Sequence, residues 1–437
     1  MSPTQRYGDL ELSFQPTYQG VPVGALLSYF QSSDDVPPEL ISTGQKLGPD
    51  GMQGAAGVLM LKDCSADQSL LRKPVRWIKV AQLPDFGPNS WGVWRPIPPE
   101  GYVALGDIVH LWDWPSDQIV GSAGMVACVK RGVHTDGRTY VRQGECGNLI
   151  YESSGGTRLW SVVAPPYPDG DLDEHLYLPV GNFTGVKTSG KPAPTESTWI
   201  LDLPAVIEKH DGPKIPELTS HARPPAQTVI TDRTVTVPYY MVRDDSRDEK
   251  WKVENSPFYK LRRKRHFELI LFRDNQNGSQ PQNESQAVTT GVTQESSSAF
   301  CESTGVTVGM EIGVSAGGKP FGIGVETTVT ASMSTTVEMG YERRNSVSSM
   351  RQETKTRGLT IPPYSSACLW MEHHTLLPVR ANGDTLGDQA ALGFTTDYYV
   401  TGQYPNDADV QTWEEDDAGT RTLQPLQRLA EEQVLTV

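Results

Sequence analysis

The longest regular pattern in the chain is an alternation of apolar and polar residues over residues 306–341. A strict period of two over this length is typical of β-strands whose two faces meet different surroundings. In the first arm the apolar positions are Val306, Val308, Met310, Ile312 and Val314. In the second arm they are Phe321, Ile323, Val325, Val329, Ala331, Met333, Val337, Met339 and Tyr341.

Residues 315–320 join the two arms and are rich in glycine, which suits a tight hairpin. If Val314 lies opposite Phe321, every apolar side chain of the hairpin falls on one face. The predicted tip consists of Gly317, Gly318 and Lys319.

The other face of this hairpin consists of Gly, Ser, Thr and Glu. Each arm has at least nine residues, and a tilted strand crosses a bilayer with about 9–11. We therefore predict an insertion hairpin over about residues 300–341, with the apolar face toward lipid from Val306 to Met333. Glu311 and Glu326 then line a lumen, and rings of carboxylates favour cations. A soluble antiparallel sheet with the same alternation is the alternative.

Serine and threonine are dense on both sides of the hairpin. They make up seven of the 16 residues in 284–299 and 13 of the 34 in 327–360. We expect long Ser/Thr-rich strands here, which can extend without exposing new apolar surface. Residues 357–379 then return to a folded body.

The first half of the chain contains an internal repeat. VPPELISTGQ around Pro37 and IPPEGYVALGD around Pro98 are each followed by an apolar strand, and LYLPVGNFTG from Leu176 is a weaker third copy. Three similar units with frequent turn residues predict an all-β domain, either with a pseudo-threefold arrangement such as a β-prism or as a β-sandwich. We assign residues 1–205 to this domain, 206–233 to a linker or crossing segment rich in proline and charge, and 234–437 to an elongated second β domain.

Composition excludes several classes of function. The chain has 38 Lys and Arg against 53 Asp and Glu, a net charge of −15, which disfavours nucleic acid as a partner. Five widely spaced cysteines without a CxxC pair predict reduced thiols and no metal site. No cofactor motif is present. The N-terminus has no apolar signal segment, so we expect synthesis in a cytosol without a classical signal peptide, followed by release.

Two sequence features could suggest a chemical site. GVSAG at residues 313–317 matches the G-x-S-x-G motif, but a glycine-rich turn and a second strand follow it instead of the helix that a hydrolase elbow needs. We therefore expect no enzyme. The acidic loop 168–175 spaces Asp169, Asp171 and Asp173 as calcium ligands would be, and a solvated loop is the alternative.

Two resemblances add expectations to this reading. Residues 91–109, WGVWRPIPPEGYVALGDIV, together with LYLPVGNFTG, are similar to the vacuolar-protein-sorting-associated sixty-two family. This resemblance covers roughly residues 20–205 and implies a β-rich binding or targeting domain.

The second half resembles the aerolysin-like β-pore-forming toxins, especially the epsilon-toxin and mosquitocidal-toxin branch. The resemblance rests on FRDNQNGSQPQNESQ at residues 272–286, the alternating hairpin, and TIPPYSSACLW from residue 360. It implies a bacterial toxin, insecticidal in this branch, that binds a receptor on the target plasma membrane. It also implies a homo-oligomer that inserts a β-barrel. The receptor is a glycan, a lipid or a protein. A non-lytic, lectin-like protein that binds carbohydrate or lipid is the alternative.

The C-terminal tail, residues 414–437, begins with an acidic stretch and continues with a short amphipathic segment. Arg421 and Arg428 are candidate sites for proteolytic activation. In the resembling toxins a terminal segment often holds the soluble form, and a merely docked terminus is the alternative.

Overall fold

A computed structural model describes residues 3–17, 21–22, 28–30, 37, 39–48, 56–84, 91–113, 126–165, 175–307, 335–336, 352–387, 390–415 and 421–424. Among these, the strands of the first half are β1 (Gln5–Tyr7), β2 (Leu10–Thr17), β3 (Val21–Pro22), β4 (Ser28–Phe30), β5 (Leu40–Ser42), β6 (Lys46–Gly48), β7 (Ala56–Asp63), β8 (Leu71–Arg72), β9 (Arg76–Leu83), β10 (Trp91–Ile97), β11 (Tyr102–Ala104), β12 (Ile108–Leu111), β13 (Cys128–Lys130), β14 (Val141–Gln143), β15 (Glu145–Glu152), β16 (Arg158–Val163), β17 (His175–Leu178), β18 (Phe183–Val186) and β19 (Trp199–Pro204).

The second half is also dominated by strands. These are β20 (Val206–Lys209), β21 (Ile230–Pro238), β22 (Phe258–Asp274), β23 (Gln282–Thr290), β24 (Val306–Thr307), β25 (Thr335–Thr336), β26 (Glu353–Ile361), β27 (Ser366–Val379), β28 (Leu392–Tyr404), β29 (Gln411–Glu415) and β30 (Arg421–Gln424). A 3-10 turn (Tyr239–Met241) and the helices α1 (Glu249–Asn255) and α2 (Gln294–Thr304) interrupt them. The predicted all-β class is confirmed.

The N-terminal domain consists of three units with the same strand topology: β2–β7, β8–β13 and β14–β19. In each unit the first, sixth and fourth strands form one sheet, in the orders β2-β7-β5, β8-β13-β11 and β14-β19-β17. The second, third and fifth strands form another, in the orders β3-β4-β6, β9-β10-β12 and β15-β16-β18. This is the pseudo-threefold alternative, and the weak third copy at Leu176 is a full repeat.

A glycine in the left-handed region marks the same point in every unit, between the fourth and fifth strands. The φ angles are 120° at Gly44, 91° at Gly106 and 78° at Gly181, values that residues with a Cβ rarely adopt. In the first two units the residue after this glycine is a buried polar one whose side chain hydrogen-bonds to the backbone of a neighbouring unit. Gln45 exchanges hydrogen bonds of 2.8 and 3.1 Å with the backbone of Val109.

Two large sheets and the short pair β24-β25 make up the described strands of the second domain. The larger, β20-β21-β22-β27-β28, contains the long strands β22, β27 and β28, and the smaller is β23-β26-β29-β30. A core cluster that includes Leu271, Leu359, Met371 and Tyr399 lies between them. On its opposite face the larger sheet packs against the segment 210–229 through Leu218.

The two domains share one continuous apolar core. The ring of Phe14, in β2, lies 4.9 Å from that of Tyr239 and 5.7 Å from that of Phe258. At the edge of this contact, the ammonium group of Lys46 lies 3.8 Å from the Glu249 carboxylate, and burial lowers the pKa of Lys46. The core therefore fixes the N-terminal domain against the base of the long strands.

The region between the domains, predicted as a linker over residues 206–233, contains two paired segments. Val206 to Lys209 form β20 and pair with β21, which begins at Ile230. The residues between them, 210–229, have no regular secondary structure. The exact domain boundaries stay a prediction.

Candidate functional site

Strands β23 and β26 hold the two ends of the predicted hairpin side by side. They form an antiparallel ladder of nine pairs that runs from Gln282 opposite Ile361 to Thr290 opposite Glu353. Because the strands are antiparallel, the C-terminal end of β23 lies beside the N-terminal end of β26. The chain therefore leaves the ladder at residue 291 and returns to it at the same end. Such a pair of strands is a suitable base for a hairpin that extends away from the body.

The two faces of this ladder differ. Val288 and Leu359 are buried against the larger sheet. On the exposed face, hydroxyl groups bridge the strands, since the side chains of Thr289 and Thr354 lie 2.9 Å apart. Thr360 donates a 2.7 Å bond to the Asn283 side chain. The ladder thus has the wettable outer face that its serine and threonine content predicts.

The expected Ser/Thr-rich strand over 284–299 is wrong beyond Thr290, because α2 begins at Gln294. The Thr293 hydroxyl accepts a bond from the Ser296 backbone N–H at the start of this helix, and Gly305, at a φ of 68°, ends it. A Thr cap, a Glu at the second helical position and a closing Gly are standard helix signals. These local signals prevail over the strand preference of the flanking threonines.

Most of the predicted hairpin lies outside the described residues. This is true of all its assigned lipid-facing residues after Val306, of Glu311 and Glu326, and of the tip. Val306 is buried, at 4% exposure, and its backbone pairs in parallel with Thr335. The antiparallel hairpin does not include this pairing, so the described part of the chain shows a different contact at the base. The assignments of lipid-facing and lumen-facing residues stay predictions.

The outer edge of β26 is covered by β29, whose last two residues begin the predicted tail. Thr356 to Thr360 pair with Glu415 to Gln411 in antiparallel register. Trp413 lies over Gly358, where a Cβ would come within 2.1 Å of the indole. Next to it, the buried guanidinium of Arg357 lies 2.6 Å from the Glu414 carboxylate. β29 is therefore closely fitted to β26.

β30 in turn covers β29. Arg421 lies 4.0 Å above the Trp413 ring and donates a 2.8 Å bond to the Glu415 carboxylate. As Arg421 lies within this ladder, its peptide bond would have to leave β30 to enter a protease. Arg428 lies outside the described residues, and the role of both arginines stays a prediction.

Buried ion pairs link the long strands of the larger sheet. Asp232 accepts hydrogen bonds from Arg263 and Arg265, at 2.6 and 2.8 Å. Burial disfavours the ionised carboxyl, but these two donors outweigh it and lower the pKa of Asp232. Arg265 also pairs with Glu372, whose carboxylate accepts a 2.8 Å bond from His374 Nε2. The basic run 260–265 thus contributes one buried arginine, Arg263, and one half-buried arginine, Arg265, to these ion pairs.

A second buried network lies where the 3-10 turn leads toward α1. Asp244 accepts bonds of 2.8 and 3.0 Å from Arg380 and one of 2.7 Å from the Tyr259 hydroxyl. Burial raises the pKa of Asp244, while Arg380, Ser246 and Tyr259 together lower it to about 2. Sequence reasoning missed this site, since its residues are far apart in the chain and match no motif.

The remaining features of the sequence are the acidic loop, the candidate metal ligands and the cysteines. Residues 168–174 of the acidic loop lie outside the described residues. Within the described part of the chain, no cluster of His, Cys, Asp and Glu is arranged to hold a metal ion. None of the described helices is long and apolar enough to span a membrane. All five cysteines are free in the structure.

Comparison with known proteins adds a family to this geometry. Residues 230–362 match the family model described as Insecticidal Crystal Toxin, P42. The match begins at β21 and ends directly after β26, so it contains the ladder, α2 and the hairpin sequence. This supports the resemblance of the second half to toxins. The resemblance of the first half to the vacuolar-protein-sorting-associated sixty-two family receives no support.

Two solved structures are similar to parts of the chain. GNIP1Aa from Chromobacterium piscinae shares 21% identity with a TM-score of 0.30, over 41% of this chain and 34% of that chain. Cry35Ab1 shares 12% identity with a TM-score of 0.28, over 77% of this chain and 89% of that chain. This chain thus spans about a third of the length of GNIP1Aa. Comparison with curated proteins gives no match.

Proposed function

We propose that this chain is a pore-forming toxin directed at insect cells. The observation that carries the proposal is the β23–β26 ladder, which brings together both ends of the longest amphipathic alternation in the sequence. The matched insecticidal family over residues 230–362 supports the insect target.

In this proposal the protein is released and acts at the plasma membrane of the target cell. The N-terminal threefold domain binds a surface glycan, lipid or protein. Several copies then assemble into a ring, because one hairpin provides only two strands and a closed barrel has no free edges. The protein acts by permeabilisation and has no enzymatic activity.

Dye release tests this function directly. The full chain, with and without trypsin treatment, is added to dye-loaded liposomes that contain the total membrane extract of an insect cell line. We expect release that rises steeply with protein concentration, because a ring must assemble first. Binding to these liposomes without release, at any protein concentration, would overturn the pore and favour the non-lytic lectin-like alternative.

A further inference from the structure

We propose that the second unit of the N-terminal domain carries a basic surface that docks on membranes containing anionic lipid. The inference rests on the proposed membrane-directed function and names the class of partner that this domain contacts. It starts from three segments of the second unit, residues 72–76, 97–102 and 130–133.

Backbone hydrogen bonds bring these three segments together. The Val75 N–H donates a 2.9 Å bond to the Ile97 carbonyl, and the Arg131 N–H donates a 2.8 Å bond to the Gly101 carbonyl. Gly101 and Gly132 have φ angles of 82° and 92°, and an added Cβ at either position would meet open space. The segments therefore form one solvent-facing surface.

Five cations lie in these segments and define the basic surface: Arg72, Lys73, Arg76, Lys130 and Arg131. Four of them are exposed, and Lys130 is half-buried. Among the described residues, none of the five forms an ion pair with a carboxylate. Since the whole chain has a net charge of −15, this is a local excess of positive charge on an acidic protein.

Two carboxylates lie close to the basic surface. Glu100 belongs to the segment 97–102 and is exposed. Asp67 lies beyond Ser69, whose hydroxyl donates a 2.7 Å bond to Asp67 and accepts one of 3.1 Å from Lys130. The five cations therefore outnumber these two carboxylates, and the surface keeps a net positive charge.

The other two units neutralise their cations at the equivalent position. The strand registers make Lys62, Lys130 and Asp202 counterparts in the three units. Lys62 lies 3.6 Å from the Glu11 carboxylate, and Asp202 lies 3.2 Å from the guanidinium of Arg142. The fold itself thus does not require unpaired cations here, and the second unit differs from its neighbours in having them.

Arg72 is held in position on this surface. Its Nη1 donates bonds of 2.6 and 2.7 Å to the carbonyls of Gln68 and Leu71. Its guanidinium carbon lies 5.8 Å from the centre of the Tyr102 ring. Because these contacts fix the side chain before binding, less conformational entropy is lost when an anion is bound. The Nε and Nη2 donors make no hydrogen bond to the described residues and can meet a phosphate oxygen.

Two exposed valines lie among the cations. Val75 is 61% exposed and Val133 is 68% exposed, the largest value of any large hydrophobic residue that the structure describes. A sulfated or phosphorylated glycan offers such side chains little apolar contact. A membrane interface accepts apolar groups beside lysine and arginine, whose charged ends reach the lipid headgroups. The combination favours a lipid surface over a polyanionic glycan.

Sedimentation with lipid vesicles tests the docking without requiring a pore. The full chain is mixed with vesicles of phosphatidylcholine, with and without phosphatidylglycerol. We expect binding to the anionic vesicles that weakens as salt is added, because salt screens exposed charges. Equal binding to both kinds of vesicle would overturn the proposal. So would binding to heparin without binding to the anionic vesicles, since the partner would then be a polyanionic glycan.

A double variant locates the site. Lys73→Gln with Arg76→Gln removes two exposed cations of the basic surface. Each cation near an anionic membrane contributes about fivefold to affinity, so binding should weaken about 25-fold. The matched control, Lys187→Gln with Lys191→Gln, removes the same charge from exposed positions of the third unit and should bind like the unaltered protein. An equal loss in both variants would refute a localised site.

A second variant tests the apolar contribution. Val133→Ser should weaken binding to the anionic vesicles about fivefold, because the valine no longer buries apolar surface in the interface. Val229→Ser, at a residue that is 50% exposed outside the N-terminal domain, is the control and should bind like the unaltered protein. Unchanged binding by a folded Val133→Ser protein would contradict insertion into the membrane interface. Thermal unfolding verifies that each variant is folded.

Dye release from the liposomes with insect membrane extract reports on the pore separately. Release without preferential binding to anionic vesicles would refute the basic surface and leave the proposed pore intact. Binding to anionic vesicles that depends on Lys73 and Arg76, without dye release from any liposome, would support the docking and refute the pore.

Discussion

Asp244 illustrates how single residues secure the base of the long strands. Its pKa of about 2 lies below the ordinary value of 3.8, so the folded state favours the ionised form. The stability that it contributes is therefore fully present above the unfolded pKa, near 4. It is lost as the pH falls from about 4 to about 2.

We predict that Asp244→Asn lowers the free energy of unfolding by about 2–3 kcal/mol at neutral pH. The difference between the two proteins should shrink as the pH falls toward 2. Denaturant titrations at several pH values measure both effects. The matched control is Asp245→Asn, whose side chain is 68% exposed and whose loss should cost less than about 1 kcal/mol. An equal loss in both variants would contradict the special role of Asp244.

The sequence alone could not single out Asp244. Its partner Arg380 lies 136 positions away, and only the packing of β27 behind the 3-10 turn brings the two together. The contact of Trp413 with Gly358 could not be predicted from the sequence either. Periodicity describes which face of a strand is apolar, but it carries no information about such distant contacts between polar or bulky side chains.

At the scale of elements, the alternation over residues 306–341 lies mostly outside the described residues, so the comparison rests on its Ser/Thr-rich flanks. The flanking strands β23 and β26 form as expected, whereas α2 replaces part of one predicted strand. Serine and threonine content is compatible with either state, so the helix depended on its caps at Thr293 and Gly305. These cap signals were present in the sequence and could have revealed the helix.

The two faces of the predicted hairpin should respond differently to one added charge. Val325→Arg places a cation on the lipid side, at an expected cost of about 2–4 kcal/mol at mid-membrane depth. Thr328→Arg, on the opposite face, points into the lumen and should be tolerated. We expect the first variant to bind membranes without releasing dye and the second to release it. Full release by a folded Val325→Arg protein would refute the assignment of the faces.

At the scale of the whole molecule, the repeat pattern predicted three units, and the structure places them in equivalent topologies. What the pattern could not provide is their contact with the second domain. Lys46 occupies the start of β6, where the equivalent strands β12 and β18 begin with Ile108 and Phe183. The first unit is thus adapted to meet Glu249 of the second domain. The threefold symmetry is broken where the domains join.

The tail region affects the predicted assembly, because β29 pairs with the outer edge of β26. In a ring, a strand of a neighbouring copy would need that edge. In a closed barrel both outer edges of each hairpin pair with neighbouring copies. Among the described residues, no strand pairs with the outer edge of β23, while β29 covers that of β26. A neighbour's strand can therefore reach β26 only after β29 leaves. β30 opposes this departure through the contacts of Arg421 with Trp413 and Glu415.

We predict that truncation before Arg421 speeds oligomerisation on membranes, since β29 then loses the strand that holds it. Truncation after Gln424 is the matched control: it keeps β30 and should assemble like the full chain. Chemical cross-linking over time on target-membrane liposomes measures the rate, with bound protein quantified in parallel. If the shorter protein assembles no faster than the full chain at equal binding, β30 is not inhibitory. If both truncations accelerate assembly equally, the inhibition belongs to residues 425–437 instead of to β30.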